Sequence, residues 1–244
     1  MSDVPAEGLQ RLLLRRVWSS LWSHLPMLAT SAAVTAVAAA VASALGVAVG
    51  GGLLTPALLA LLAGPTLMAL LRVVQGALVE DETDLRTYLR CLRATALRST
   101  GFALLPAMCL VSLLAALEVH ARTGSALMLA SLCLSAVAGV LTITGSVVLM
   151  PLAVARPTLR GARLWAISFH LLGRWPARFL APLALAGLAL WAALSLSSTL
   201  VLLLPAPIAL LAGAAYWCCA VELGAQDVIG AEGRRSGITS ARRS

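Results

Sequence analysis

Charge is absent from four long stretches of this sequence, and lysine is absent from the whole chain. Asp, Glu, Lys and Arg are all missing from residues 25–71, 99–117, 123–155 and 179–221. A soluble domain has roughly 45–50% apolar residues, whereas hydrophobic residues make up 60% of this chain. Its mean hydropathy is +0.94. These features exclude an ordinary soluble domain and predict a membrane protein.

The lengths of the uncharged stretches predict how often the chain crosses the membrane. A spanning helix needs about 20 mainly apolar residues to cross the hydrocarbon. The first and last stretches are long enough for two spans each, and each of the other two holds one. We therefore predict an all-α, polytopic bundle of six transmembrane helices. They lie at about residues 26–45, 53–71, 100–116, 127–149, 179–196 and 200–221.

Motifs for catalysis and metal binding are also missing. The sequence has no C-x-x-C, G-x-S-x-G, H-E-x-x-H or phosphate-binding glycine loop. The three histidines, His24, His120 and His170, are far apart in the sequence and are predicted on the inside, outside and inside faces, so they cannot form one metal site. No predicted span contains a charge, which counts against an ion-coupled transporter but leaves transport of a neutral sugar open. We expect a protein that is not an enzyme and that uses no cofactor and no metal.

Arginine supplies all eighteen basic residues, and seventeen of them lie in four patches between or beyond the uncharged stretches. Cytoplasmic loops carry such an excess in membrane proteins. The arginine patches are therefore predicted to be cytoplasmic, as are both termini, in a bacterial cytoplasmic membrane. The same rule explains the net charge of +8, so nucleic acid is rejected as a partner.

Three segments are predicted along the chain. Residues 1–24 form a cytoplasmic arm at the interface, residues 25–221 form the six-helix membrane domain, and residues 222–244 form a polar, disordered tail. The arm and the first apolar run resemble a signal peptide. We interpret the run as an uncleaved first span, because its hydrophobic stretch continues beyond the small residues that would be the cleavage site.

Two cytoplasmic loops are predicted to contain amphipathic helices. In the first loop, residues 72–98, the leucines and Tyr88 fall on one helix face and the arginines on another. The apolar face is predicted to enter the lipid boundary. The arginines of both loops are predicted to face lipid phosphates or to dock on a partner. These candidate residues are Arg86, Arg90 and Arg93 in the first loop, and Arg156, Arg160, Arg163 and Arg174 in the second loop, residues 156–178.

Gly64 and Pro65 lie in the middle of the second predicted span. Proline lacks the backbone N–H that a helix interior needs, and it clashes with the preceding turn. The pair is therefore predicted to kink this helix.

Two short motifs resemble a known family. The first runs from Gly64-Pro65-Thr66 to Arg72-Val73-Val74 and precedes an acidic stretch and a helix that contains Tyr88. The second is Leu171-Leu172-Gly173-Arg174-Trp175-Pro176. Across roughly residues 20–225 the chain resembles the YesL-like family of small bacterial integral membrane proteins, whose function is not established. It departs from that family in its few aromatics and in having no lysine in the first loop.

The resemblance implies an accessory role, because members tend to be encoded beside genes for carbohydrate uptake and breakdown. It assigns no binding or catalytic residue. We expect a non-catalytic component associated with a carbohydrate ABC transporter, with anionic lipid, transporter subunits or a homo-oligomer as partners. The alternative is a self-standing permease for a neutral small solute such as a sugar.

Overall fold

The computed structural model describes residues 22–50, 52–80, 85–159, 161–196 and 204–222. Within these ranges the chain is helical and contains no strand, which confirms the all-α prediction. The helices of the described ranges are α1 (Leu25–Gly50), α2 (Thr55–Gln75), α3 (Leu85–Thr123), α4 (Ala126–Ala155), α5 (Ala162–Arg174), α6 (Pro176–Leu196) and α7 (Pro205–Glu222). A π-helical segment, Gly76–Glu80, extends α2.

Four of the described helices, α1 to α4, are long and apolar enough to cross a membrane. Helices α5 and α6 meet at an angle of 95°, and they make a fifth candidate span if the bent pair is counted as one. The apolar part of α7, Pro205–Ala220, is shorter. Four or five such helices are consistent with a multi-pass membrane protein, whereas the predicted count of six goes beyond what these lengths establish.

The first predicted loop helix and the third predicted span form one continuous helix, α3, of 39 residues. At 1.5 Å per residue it is about 58 Å long, well beyond the ~30 Å of a hydrocarbon core. The sequence has no glycine or proline between Arg93 and Thr100 to interrupt it. The hydroxyls of Thr95 and Thr100 donate to carbonyls of their own helix, at 2.7 and 2.9 Å. The loop helix and the third span, two separate elements in the prediction, are therefore one helix.

Helix α5 lies within the second predicted loop, residues 156–178. Gly161, with a φ of +58°, directly precedes it, a conformation that disfavours residues with a side chain. The helix ends at Arg174, just before the proline that begins α6. Trp165 and Phe169 pack against α4 at Gly145, where an added Cβ would lie 3.0 Å from the Trp165 ring. Helix α5 therefore docks along the second half of α4.

The core forms where α2 contacts α1, α3, α4 and α7. Helices α1 and α2 form one antiparallel hairpin, and α3 and α4 form a second that packs beside it. Leu28 of α1, Leu70 and Val74 of α2 and Leu210 of α7 belong to one buried cluster. Helix α7 approaches α2 closely, since a Cβ at Gly213 would lie 3.0 Å from Val74.

Gly64 and Pro65 are both buried within α2, which continues through them from Thr55 to Gln75. A Cβ placed on Gly64 would lie 3.1 Å from the Cβ of Ala103 and 3.7 Å from the carbonyl oxygen of Ser99. Gly64 therefore lies where α2 and α3 approach tightly, a role that small residues commonly have between membrane helices. The kink at Pro65 stays a prediction.

Candidate binding surface at the arginine end

Arginines gather toward one end of the helices. Because α2, α3 and α4 are antiparallel neighbours, the last turn of α2, the first turns of α3 and the end of α4 lie together. We call this region the arginine end. Nine of the arginines that the structure describes define it: Arg72, Arg86, Arg90, Arg93, Arg98, Arg156, Arg163, Arg174 and Arg178.

Most of the predicted candidate arginines are exposed at this end. Arg160 lies outside the described residues. The exposed ones are Arg86, Arg90, Arg93, Arg156, Arg163 and Arg174. The guanidinium of Arg174 lies 5.0 Å from the ring centre of Trp175, and that of Arg178 lies 5.9 Å from the same ring. Such stacking holds the charges at the joint between α5 and α6.

Arg98 has a different role from the exposed arginines. Its Nη1 donates a 2.8 Å hydrogen bond to the carbonyl oxygen of Pro157, and its Nη2 donates to that of Leu159. Its guanidinium also lies 5.5 Å from the ring centre of Phe102, one turn further along α3. A planar guanidinium has several N–H donors in a fixed arrangement, so one side chain can fix two carbonyls. Arg98 thereby ties α3 to the turn that follows α4.

A groove of about 560 Å³ opens at this end between α2, α3, the end of α4 and α7. We call it the arginine groove. It is lined by Met68, Arg72 and Gln75 of α2, by Thr87, Arg90, Cys91, Ala94, Thr95 and Arg98 of α3, by Ala153, Val154, Ala155 and Pro157, and by Trp217 of α7.

The groove brings together one of the predicted candidate residues, Arg90, with two arginines that the sequence did not single out, Arg72 and Arg98. The sequence does contain one signal that Arg90 and Arg98 lie together. They are eight residues apart on α3 and so share a face of that helix. The sequence gives no comparable signal for Arg72, since that arginine enters the groove from another helix.

The apolar face predicted for the start of α3 is divided between two environments. Leu85 and Leu89 are exposed, which suits contact with lipid, whereas Tyr88 is only 2% exposed and belongs to the buried cluster. Leu92 packs against the same cluster. The expectation that this whole face meets lipid is wrong for Tyr88 and Leu92, because they face the bundle.

The opposite end has little charge. The last turn of α3 contains Arg122, whose Nη2 lies 2.5 Å from Oε1 of Glu118 in an exposed ion pair. Gly124, with a φ of +61°, makes the turn to α4. No group of three His, Cys, Asp or Glu side chains among the described residues is arranged to hold a metal ion.

Comparison with protein-family models, curated proteins and solved structures finds no match for this chain. The class of protein is therefore inferred from the fold and from the arginine end alone. The described residues form an all-α protein with several helices able to cross a membrane, and with its arginines concentrated at one end of the helices.

Proposed function

We propose that this protein is a six-span, non-catalytic component of the bacterial cytoplasmic membrane, with both termini inside. Its arginine end binds anionic lipid headgroups. The observation that carries this proposal is the concentration of arginine at one end of the helices. Within the part of the chain that the structure describes, six exposed arginines lie at that end, and the exposed pair of Arg122 and Glu118 lies at the other.

Electrostatics supports the headgroup role. The cytoplasmic leaflet is negatively charged, and each Lys or Arg near such a surface is worth about 1 kcal/mol within a Debye length. Guanidinium groups also pair with phosphate through two parallel hydrogen bonds. Exposed arginines at the start of α3 and along α5 present these donors from two helices.

An accessory role in carbohydrate ABC uptake is proposed from the family resemblance. One feature of the structure favours this accessory role over a sugar permease. A second groove, of about 320 Å³, lies among α1 to α4 and is lined almost entirely by apolar side chains. The hydroxyls of Thr35 and Ser146, two of its lining residues, donate to carbonyls of their own helices at 2.9 and 2.7 Å. A sugar would need polar groups directed toward it.

Changing Arg86, Arg90 and Arg93 together to Gln is expected to remove about half of the stabilisation that anionic lipid gives. Three of the six exposed guanidiniums are lost, at about 1 kcal/mol each. The measurement is the unfolding temperature in phosphatidylcholine nanodiscs with and without phosphatidylglycerol, at low and high salt. Arg122→Gln, at the opposite end, is the control and should leave the lipid-dependent shift unchanged. If the triple variant keeps the full increase in unfolding temperature that phosphatidylglycerol gives the parent, the headgroup role is contradicted.

Purification of the protein from its host in a mild detergent tests the partner. Recovery of sugar-transporter subunits, reduced in the triple variant, is the expected result. A homo-oligomer without other subunits would favour the permease, and uptake of a neutral sugar into liposomes would then be measured.

A further inference from the structure

The second groove described above lies among α1 to α4, and we call it the apolar groove. Its lining residues fall between Pro56 and Leu67 on α2, between Ala103 and Leu110 on α3 and between Ile143 and Met150 on α4, and Thr35 of α1 completes it. These four helices are the ones that are long and apolar enough to cross a membrane. In a protein that spans the membrane, the apolar groove therefore opens toward hydrocarbon.

The apolar groove offers nothing to a polar ligand. Among the described residues that line it, Thr35 and Ser146 have the polar side chains, and both hydroxyls already donate to carbonyls of their own helices. A water molecule inside a protein needs about two to four polar partners, and an apolar cavity without them stays dry and binds hydrocarbon instead. A soluble metabolite would likewise find no polar group to orient it. The chemistry of the groove therefore selects a hydrocarbon.

The volume of the apolar groove, about 320 Å³, limits the shape of that hydrocarbon. An α-helix about 10 Å across, with a pitch of about 5.4 Å, fills roughly 400 Å³ in each turn. The groove holds less than one such turn, so a helix from a second copy does not fit within it. A single hydrocarbon chain is narrower than a helix and does fit.

Short side chains provide the space for this chain. A Cβ on Gly64 would lie 3.1 Å from the Cβ of Ala103, and Ala63 and Ala107 line the groove next to that contact. Lipid tails are as apolar as these side chains, so van der Waals contact decides what lies there. A chain in the groove contacts several helices, whereas a chain on the outer face of one helix contacts only that helix. Dispersion energy grows with the number of atoms in contact, so the groove is a preferred position for a lipid tail.

The length and position of the apolar groove match an acyl chain of one leaflet. From Pro56 to Leu67 the lining extends about 16 Å along α2, and one leaflet provides about half of the ~30 Å of hydrocarbon. On three helices, the lining residue nearest the arginine end is five or six positions from an arginine, which is about 8 Å. These pairs are Leu67 and Arg72 on α2, Ala103 and Arg98 on α3, and Met150 of α4 and Arg156 just after it. A phospholipid with its tail in the groove therefore has its headgroup at the level of the arginines, which favours an anionic headgroup.

We propose that the apolar groove binds one acyl chain of an anionic phospholipid, whose headgroup lies at the arginine end. The place of the chain follows from the shape and chemistry of the groove. The choice of an anionic headgroup rests on the proposed function, because it requires the arginine end to bind anionic lipid.

The test is photolabelling by phosphatidylglycerol that carries a diazirine in the middle of one acyl chain. The protein is placed in phosphatidylcholine nanodiscs, one copy in each, and the labelled positions are identified by peptide mass spectrometry. Leu59 and Leu61 are both on α2, but Leu59 is half-buried and lines the apolar groove, whereas Leu61 is 53% exposed and does not. Random contact with lipid favours Leu61. We expect Leu59 to be labelled about fivefold more than Leu61, which corresponds to a preference of about 1 kcal/mol.

The matched variants are Ala63→Leu, which fills the apolar groove, and Ala40→Leu, which adds the same atoms at an exposed position of α1 outside the groove. We expect Ala63→Leu to remove the preference for Leu59 and Ala40→Leu to keep it. Far-UV circular dichroism checks that each variant is folded. If Ala63→Leu does not fold, Ile143→Phe adds bulk to the groove from α4 and takes its place.

The proposal is overturned if wild-type Leu61 is labelled as much as Leu59, or if the groove variant keeps the preference. It is also overturned if labelling of Leu59 disappears when two copies share a nanodisc, because a second copy then covers the groove. A phosphatidylcholine probe with the same chain should label Leu59 less than the phosphatidylglycerol probe does. Equal labelling by the two probes would contradict the anionic headgroup and leave the chain site. Conversely, the lipid-dependent shift in unfolding temperature would survive failure of the chain site, which separates the two proposals.

Discussion

Replacing Gly46 with alanine is expected to lower the free energy of unfolding by about 3 kcal/mol, at the upper end of the usual cost of overpacking. The added Cβ would lie 2.3 Å from Oγ1 and 2.7 Å from Cα of Thr55. The hydroxyl can rotate away, but the Cα is backbone and cannot. The hairpin of α1 and α2 would have to open. The measurement is equilibrium unfolding in detergent by far-UV circular dichroism.

Gly101→Ala is the matched control, because Gly101 is also inside a helix but an added Cβ there would have nothing within 4 Å. Alanine is a better helix former than glycine by about 1 kcal/mol, so this variant should be as stable as the parent or slightly more stable. Equal losses in the two variants would show that α1 and α2 do not approach closely at Gly46.

Replacing Arg98 with glutamine is expected to cost about 3 kcal/mol of stability. The change removes two hydrogen bonds from a charged donor, each worth about 1.5–3 kcal/mol, partly offset by water that reaches the freed carbonyls. It also removes the contact with Phe102. Because the carbonyls belong to Pro157 and Leu159, the turn after α4 should loosen first. Hydrogen exchange resolved by peptide is the measurement, and it should rise around these two residues.

Arg93→Gln serves as the control, since Arg93 is exposed on the same helix. In detergent, where no anionic lipid is present, its stability should change by no more than about 0.5 kcal/mol. Arg98→Lys should recover only part of the loss, because one ammonium does not match the two carbonyls as a planar guanidinium does. If Arg98→Gln and Arg93→Gln are equally stable, Arg98 does not tie α3 to this turn.

The sequence predicts the first two helices well. The first predicted span, residues 26–45, lies within Leu25–Gly50. The second, residues 53–71, begins just before Thr55–Gln75 and otherwise lies within it. The absence of charge locates a membrane segment but does not locate the end of a helix, because arginine is a good helix former. For that reason α2 continues past Arg72, and α3 begins well before the uncharged stretch.

The candidate site is predictable only in part. The pattern of arginines identified the exposed residues of α3 and α5, because amphipathic spacing is visible within one helix. It did not identify the groove, whose walls come from residues far apart in the chain. Arg98 and Leu159 are 61 positions apart, and no local pattern joins them. Tyr88 is buried and its neighbour Leu89 is exposed, and this difference likewise depends on which helix packs beside α3.

The side of the membrane on which the arginine end lies is the most direct test of the proposed function. Thr123 and Thr158 are both exposed, near opposite ends of α4. Each is changed to cysteine in turn, and intact cells are treated with an impermeant thiol reagent before and after permeabilisation. We expect Thr123→Cys to react in intact cells and Thr158→Cys to react only after permeabilisation. Reaction of Thr158→Cys in intact cells would place the arginines outside and contradict a cytoplasmic arginine end.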